Sequence, residues 1–296
     1  MSSVRKLGVL VDGPPPVAWA ATHASVPFAA RSGDGALKLL FSSRDHEGRS
    51  HVGQAVVDVE RRIVSGYSAQ PLLSPGVLGA FDDHGAMASC LVQHDGEEYL
   101  FYIGWTLGVT VPFYTNVGCA VRAAGGETFE RVSRAPVLAR TASDPYFTTA
   151  PWVSIENGTW RMWYASATGW EPTHRYHIRY AESDDGVTWR RDGVVCVDYA
   201  DEGEFALTRP CVLNDGGIYR MWYSRRGRTY RIGYAESSDG ITWTRKDDEA
   251  GIDVSPSGWD AEMIEYPCVV DAGERLLFYN GNGYGKTGVG WAVIDA

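Results

Sequence analysis

Apolar residues recur along the chain in short runs that end on an aromatic side chain. The runs are "LLF" ending at Phe41, "LFY" at Tyr102, "MWY" at Tyr164, "MWY" at Tyr223 and "LFY" at Tyr279. The intervals between these aromatics are 61, 62, 59 and 56 residues. Each run follows a turn signal: Gly33-Asp34-Gly35, His94-Asp95-Gly96, Glu156-Asn157-Gly158, Asp215-Gly216-Gly217 and Asp271-Ala272-Gly273. Asn-Gly and Asp-Gly favour tight hairpins because they accept positive φ. Upstream of each turn lies another short strand: "SVPFAA", "MASCLV", "TAPWVS", "TRPCVL" and "EYPCVV". Pro27, Pro151, Pro210 and Pro267 share one register there, and Ser89 takes the place in the second repeat. Proline is tolerated at a sheet edge and not in a central ladder. This places these strands innermost, facing a channel.

Each repeat continues with a third strand ("HVGQAVVD", "NVGCAVRA", "HIRYAESD", "RIGYAESS", "GVGWAVID") and an outer one ("RRIVSG", "TFERVS", "TWRRDG", "TWTRKD"). The fifth repeat ends after its third strand, at Ala296. The N-terminal "RKLGVLVDG" is the strand available to complete it and to cover its edge. The predicted fold is all-β: a five-bladed β-propeller with four antiparallel strands per blade, its ring closed by the N-terminal strand. Residues 1–296 form one domain in this reading. Gly53, Gly118, Gly233 and Gly290 share a third-strand register and are expected to allow close packing between blades; Arg179 replaces glycine in the third repeat.

Two repeats share text as well as register. Tyr180-Ala181-Glu182-Ser183 returns as Tyr234-Ala235-Glu236-Ser237, and Asp185-Gly186-Val187-Thr188-Trp189 as Asp239-Gly240-Ile241-Thr242-Trp243, 54 residues on. The shared letters read as structure. The letters that differ, "ASATGWEPTHRY" against "SRRGRTYR", are where a substrate is expected.

Composition narrows the function. The net charge is -10, and no basic stripe runs along the chain to neutralise phosphates, which argues against a nucleic-acid partner. Eleven Trp, 16 Tyr and 34 Gly suit short strands and tight turns. Five cysteines, odd in number and without a Cys-x-x-Cys pair, predict neither disulfides nor a zinc site. Cys90, Cys211 and Cys268 share a repeat position and read as small core residues. The N-terminus lacks a basic-then-apolar leader, and no apolar run approaches the length of a membrane span. A cytoplasmic protein with a small-molecule partner and no membrane partner is expected.

Candidate chemistry follows from the repeat register. Seven residues before the proline position stand Ala20, Asp82, Asp144, Gly203 and Asp260; six before it stand Ala21, Asp83, Pro145, Glu204 and Ala261. Five before it come Thr22, His84, Tyr146, Phe205 and Glu262, and two before it Ser25, Met87, Thr149, Thr208 and Glu265. Carboxylates gathered at one mouth of a channel suit glycoside chemistry, in which one stays protonated as acid and another is ionised as base or nucleophile. Asp82, Asp83, Asp144, Glu204 and Glu262 are the catalytic candidates. Strand corners at the same mouth carry Arg44, Trp105, Trp170, Arg225, Arg226 and Asn280. Aromatic platforms with arginine and asparagine donors suit a sugar, with or without an acidic group. Arg209 and Glu265, flanking the proline register, join this binding set. His23 and His84 lie in the channel register; they are read as acid–base groups, as ligands of a divalent cation, or as core hydrogen-bonders. No cofactor is otherwise expected.

Together these features resemble the five-bladed propeller glycosidases: the arabinanase/xylosidase, invertase/levansucrase and mannoside phosphorylase groups. The resemblance implies an aspartate base or nucleophile, a second aspartate that orients substrate, and a glutamate acid. "FDDHG" offers Asp82 or Asp83 for the first role, "SDPYF" offers Asp144, and "GEFALTRP" offers Glu204, with Glu262 and Glu265 of "WDAEMIEYP" as rivals. In the first blade His23 stands where a catalytic aspartate is expected. The invertase-type Asn-Asp-Pro-Asn and the phosphorylase-type Gly-x-x-Asp-Pro-Arg are absent, and Ser183–Trp189 is one residue short of a sialidase-type Asp box. The resemblance implies a glycosidase-like hydrolase. The alternatives are a non-hydrolytic enzyme acting on a phosphorylated, nucleotide-linked or acidic sugar, and a non-catalytic sugar-binding propeller.

Overall fold

A computed structural model describes residues 4–32, 35–123 and 126–295. Gly33 and Asp34 of the first predicted turn, and Ala296 at the end of the last predicted strand, lie outside the described residues. The described residues form strands and one short 3-10 turn at Asp247–Glu249, with no α-helix. No helix among them is long and apolar enough to cross a membrane.

Strand β1 (Val4–Val11) leads into four successive antiparallel meanders. The first is β2 (Thr22–Arg31), β3 (Leu37–Arg44), β4 (Ser50–Asp58) and β5 (Ile63–Tyr67); the second is β6 (Gly85–His94), β7 (Glu97–Leu107), β8 (Phe113–Ala123) and β9 (Glu130–Arg131). The third is β10 (Thr148–Glu156), β11 (Thr159–Gly169), β12 (Arg175–Ser183) and β13 (Trp189–Arg190), with β14 (Val195–Val197) also on β12. The fourth is β15 (Ala206–Asp215), β16 (Ile218–Arg226), β17 (Tyr230–Ser237) and β18 (Thr244–Arg245). A fifth set, β19 (Glu265–Asp271), β20 (Arg275–Asn280) and β21 (Val289–Ile294), is completed by β1, which pairs with β21 from Val4↔Ile294 to Val11↔Val289. The expected docking of the N-terminal strand on the last repeat is therefore observed. Single parallel pairs, Ser50↔Gly85 and Tyr176↔Ala206, join the first meander to the second and the third to the fourth.

The aromatic register forms the core. Phe41, Tyr102, Tyr164, Tyr223 and Tyr279 are all fully buried. Opposite four of them on the next strand stands a glycine: Phe41↔Gly53, Tyr102↔Gly118, Tyr223↔Gly233 and Tyr279↔Gly290. A Cβ at Gly118 would sit 2.2 Å from the Tyr102 ring, and one at Gly233 would sit 2.6 Å from that of Tyr223. Gly118 and Gly233 thus make room for a ring crossing from the adjacent strand, whereas a Cβ at Gly53 would meet the ring of Trp19 at 2.4 Å and one at Gly290 that of Trp259 at 2.0 Å. In all four the space goes to an aromatic ring of the same repeat, which corrects the expectation of packing between blades.

The crossing rings reach buried acids. Tyr102 donates to Asp82 Oδ2 at 2.9 Å, Tyr164 to Asp144 Oδ2 at 3.1 Å and Tyr279 to Asp260 Oδ2 at 3.1 Å. A cation from the outer strand or its flank completes each brace: Arg131 Nε at 2.7 Å on Asp82, Arg191 at 2.8 Å on Asp144 and Lys6 Nζ at 2.7 Å on Asp260. In the fourth meander the register residue is Gly203, and Tyr223 donates instead to Asp247, which Arg245 holds. The first meander has Phe41, with no hydroxyl, and Ala20, with no carboxylate. There Trp19 stacks on Phe41 at 6.2 Å with planes 6° apart. Hydroxyl and acid are present together in three meanders and absent together in the first, as a structural brace requires.

Sulfur links neighbouring innermost strands. Cys90 accepts from Val153 N at 3.3 Å, Cys211 from Val269 N at 3.1 Å and Cys268 from Ala29 N at 3.2 Å. All five cysteines are buried and free, as the sequence implies. The repeated text is also structural. Asp185 Oδ1 accepts from Val187 N and Thr188 N at 2.8 and 2.7 Å, and Asp239 Oδ1 makes the same two bonds in the fourth meander, at 2.7 Å each. Those bonds hold both aspartates down to a pKa of about 2.

Candidate active site

The innermost strands share a local distortion. Pairing slips between Ser25 and Phe28, Ala88 and Cys90, Thr149 and Trp152, Thr208 and Cys211, and Glu265 and Cys268. In the four proline-bearing strands the residue before proline is left-handed: Val26 (φ 55°), Ala150 (48°), Arg209 (56°) and Tyr266 (58°). Such bulges re-aim side chains, and left-handed non-glycine residues concentrate at functional sites. All four line one cavity of about 340 Å³.

The position before the bulge lines the same cavity in four repeats, through Ser25, Met87, Thr149 and Thr208. Glu265 is its fifth member. It opens β19 and is fully buried, and neither carboxyl oxygen has a hydrogen-bond partner. Burial pushes its pKa well above the carboxylate range, against smaller opposing pulls from the Arg226 charge and then from the adjacent Tyr266 hydroxyl. Around it stand the phenols of Tyr176 and Tyr230, hydrogen-bonded to each other. Burial pushes the Tyr176 phenol up to about 12.

Three arginines face the cavity. Arg44 is exposed, with its guanidinium 5.7 Å over the Trp105 ring. Arg209 is fully buried; it donates to Ser89 O at 2.7 Å, Ser89 Oγ at 2.8 Å and Pro27 O at 2.8 Å, and its Nε has no partner. Burial lowers its pKa. Arg226 lies 5.2 Å from the rings of Phe205 and Tyr230 and 5.9 Å from that of Tyr284, and its Nε is buried without a partner. Among the described residues none of the three is in an ion pair, and no Asp or Glu lines the cavity. The walls are otherwise aromatic or hydroxylic, with Trp105, Phe113, Phe147 and Thr115 among them.

The structure brings together part of the predicted set. Arg44, Trp105 and Arg209 line the cavity; Glu265 shares the register of Ser25, Met87, Thr149 and Thr208, which line it, but is not itself among the lining residues. His84 packs edge-on against Trp105 at 4.5 Å. His23 is bonded to Thr22 Oγ1 at 2.9 Å; burial, then the charges of Arg44 and Lys286, lower its pKa to about 4. Among the described residues no group of three or more His, Cys, Asp or Glu side chains is placed to hold a metal ion. Trp170 lies behind the wall, 5.3 Å from Phe147 and 5.4 Å from Phe113.

The remaining residues fall elsewhere. Asp82 and Asp144 belong to the tyrosine braces, and Asp82 borders a different cavity beside Arg131 and Arg134. Glu204 accepts from Arg245 at 2.6 and 3.0 Å and from Ala200 N at 2.8 Å. Asp83 accepts from Gly79 N at 2.9 Å, within its own loop. Glu262 is exposed. Arg225 reaches Asp247 at 3.5 Å and Glu204 at 4.0 Å, outside the cavity. Asn280 is a buried clamp: its Oδ1 accepts from Val26 N at 2.8 Å, and its amide donates to Ala24 O at 2.8 Å and Gly288 O at 2.7 Å. The predicted set has Arg226 beside Arg225 without separating them, and omits Tyr176, Tyr230, Tyr266 and Tyr284. Strand parity separates Arg226 from Arg225, because adjacent residues on β16 face opposite ways. Tyr266 shares the pre-proline register with Arg209, a signal that was present in the repeats.

Comparison with known proteins finds relatives that match along almost the whole chain. The uncharacterized protein MT1551 of Mycobacterium tuberculosis strain CDC 1551 is 43% identical over 297 residues, 98% of this chain and 99% of that protein. The uncharacterized protein Rv1502 of strain H37Rv is 42% identical over the same shares. The chain belongs to their family. No protein-family profile matches it. Among solved structures, a complex of BT0996 with RGII aligns with TM-score 0.77 at 18% identity, covering 98% of this chain and 91% of that one. A thermostable family-43 glycoside hydrolase aligns with TM-score 0.69 at 16% identity, covering 95% and 91%. The sucrose-6-phosphate hydrolase of Lactobacillus gasseri aligns with TM-score 0.70 at 13% identity, covering 97% and 61%. At these identities the likeness is one of fold: the chain has the propeller-type fold of these glycoside hydrolases.

Proposed function

We propose that the chain is a five-bladed β-propeller that processes a glycoside in its central cavity, with Glu265 as the proton donor. The five meanders supply the blades. Cys268 to Ala29, and Asn280 to Val26 and Ala24, tie the fifth to the first and support a closed ring. The observation that carries the functional reading is Glu265: a fully buried carboxyl group whose oxygens have no hydrogen-bond partner, in a register that lines the cavity in the other four repeats.

A carboxyl held neutral by burial is a general acid near neutral pH. Its proton would go to the leaving glycosidic oxygen as the bond to the anomeric carbon breaks, and the bonding pair would stay on that oxygen. Water then adds at the anomeric carbon and gives up a proton, which restores the proton that Glu265 donated. Trp105, Phe113 and Phe147 offer apolar faces to the sugar, and Thr115, Thr149 and Thr208 offer hydroxyls. Asp82, Asp144 and Glu204 serve as braces in this reading.

One observation favours a second reading, a sugar-binding propeller without turnover. No ionised carboxylate lines the cavity among the described residues, whereas hydrolysis by paired carboxyl groups needs one. Screening aryl glycosides and activated sugars with wild type and Glu265→Gln separates the two. The enzyme reading expects turnover that falls about 100-fold or more in the variant, the scale of a lost general acid. Turnover kept in Glu265→Gln would remove Glu265 from the chemistry, and turnover in neither protein, with sugar binding retained, would favour the second reading.

A further inference from the structure

We infer that the sugar taken by this cavity carries an anionic oxygen group, a phosphate or a carboxylate, and that Arg226 grips it. The inference rests on the cavity being the sugar site. Its own support is the charge around that cavity. Arg44, Arg209 and Arg226 all line it, and none is in an ion pair among the described residues. This is unusual for the chain. Its net charge is -10, and Arg122, Arg131, Arg161, Arg179, Arg191 and Arg245 are each paired with an acid.

A buried cation without a counter-ion is costly, because water's solvation is lost and nothing replaces it. Arg209 has part of that loss returned by neutral carbonyls and one hydroxyl. Those bonds commit both of its terminal nitrogens, so Arg209 acts as a fixed positive charge at the cavity floor. Arg226 differs. Its guanidinium has rings and the Tyr230 hydroxyl beside it and no acid in an ion pair with it, and its Nε is buried and unpartnered. The rings of Phe205, Tyr230 and Tyr284 hold the planar fork in place, which leaves its donors for a ligand. A planar fork suits the paired oxygens of phosphate and carboxylate. Arg44 adds a third charge at the exposed side.

The acid nearest this cluster does not cancel it. Glu265 does not come within ion-pair distance of Arg226, and burial raises its pKa, which disfavours the charge that would offset the arginines. The neighbouring His174 also has its pKa lowered, by burial and by Arg226, as expected for a dry, positive site. A neutral sugar needs none of this charge. An acidic substituent would supply the missing counter-ion, while the aromatic wall takes the ring.

Titration calorimetry of the full chain at low salt tests this. The probes are hexose and pentose phosphates, uronates, the neutral parent sugars and inorganic phosphate. At least one phosphorylated or carboxylated sugar is expected to bind ten times or more tighter than its neutral parent, and to weaken as salt rises. Arg226→Gln is expected to lose about tenfold to 100-fold of that affinity, with Arg226→Lys between, the scale of charge-assisted hydrogen bonds. Arg44→Gln supplies a second variant on an exposed side chain should Arg226→Gln fold poorly. Neutral parents that bind as tightly as the acidic sugars, unaffected by Arg226→Gln, would overturn the inference and leave the sugar site standing. Inorganic phosphate binding as tightly as any sugar phosphate would overturn the placement of the anion on the sugar. Binding by no sugar at all would overturn both this inference and the reading beneath it.

Discussion

Arg225 and Arg226 are consecutive on β16, and they serve opposite sides of it. Arg225 turns to Asp247 and Glu204, 3.5 and 4.0 Å away, in the acid cluster of the fourth repeat. Arg226 turns to the central cavity, among aromatic rings and with no acid within ion-pair distance. Parity along a strand thus divides a doublet into a structural cation and a ligand-facing one. Arg225→Ala should leave ligand affinity within about twofold and shift stability by no more than ~1 kcal/mol, since the side chain is partly exposed and its pairs are long. Calorimetry and urea unfolding of the single variant check both. A large loss of affinity in Arg225→Ala would place the site on the other face.

The tyrosine braces predict stability effects without activity effects. Asp144 is fully buried between Tyr164, Ser166, Arg179 and Arg191. Asp144→Asn leaves two buried cations without their acid, which should cost about 3–5 kcal/mol in urea unfolding. Tyr164→Phe removes one hydroxyl and should cost about 1–3 kcal/mol. If either variant keeps full stability but loses turnover, Asp144 belongs to the chemistry.

Glu265 predicts the reverse. Its folded pKa lies above its unfolded value, so the folded state binds the extra proton. Its contribution to stability is fully present below the unfolded carboxylate pKa of about 4.5 and is lost as pH rises through the folded value. Glu265→Gln removes that loss. The variant should therefore melt higher than wild type at pH 7.5, by about 2 °C or more, with the gap closing as pH falls below about 4.5. A variant that melts lower than wild type at pH 7.5 would show that the ionised carboxylate is a stabilising partner and not a poised acid.

His23 adds a second pH-dependent contribution. Its folded pKa of about 4 lies below the ordinary histidine value of 6.5, so the unfolded state binds more protons between them. The contribution is fully present above about pH 6.5 and is lost as pH falls toward 4, on the order of 1–3 kcal/mol. Urea midpoints of wild type should fall across this window more steeply than those of His23→Gln. Parallel slopes would mean that His23 titrates normally in the folded protein.

Much of the fold was legible in the sequence for local reasons. Short apolar runs, paired turn residues and a fixed spacing of aromatics mark strands whatever they pack against. The pairing of Val4–Val11 with the last strand could be anticipated by counting strands. The acid register was equally visible, but its meaning was not. That Asp82, Asp144 and Asp260 meet a tyrosine hydroxyl depends on where a buried ring reaches, a distance in space. One trace of it was present: Ala20 and Phe41 lack acid and hydroxyl in the same repeat. The cavity was harder to see because it rests on backbone bulges. Val26, Ala150, Arg209 and Tyr266 reach it through left-handed φ before proline, which no apolar periodicity encodes. Glu265 was visible as a member of a register, but its isolation from hydrogen-bond partners was not.

The central claim is that the cavity, and not the acid register, is the functional site. The most direct measurement compares the affinity of one bound acidic sugar for wild type, Arg226→Gln and Asp82→Asn, each confirmed as folded at low temperature. The account predicts a loss of about tenfold or more in Arg226→Gln and near-native affinity in Asp82→Asn. Affinity lost in Asp82→Asn and retained in Arg226→Gln would contradict it.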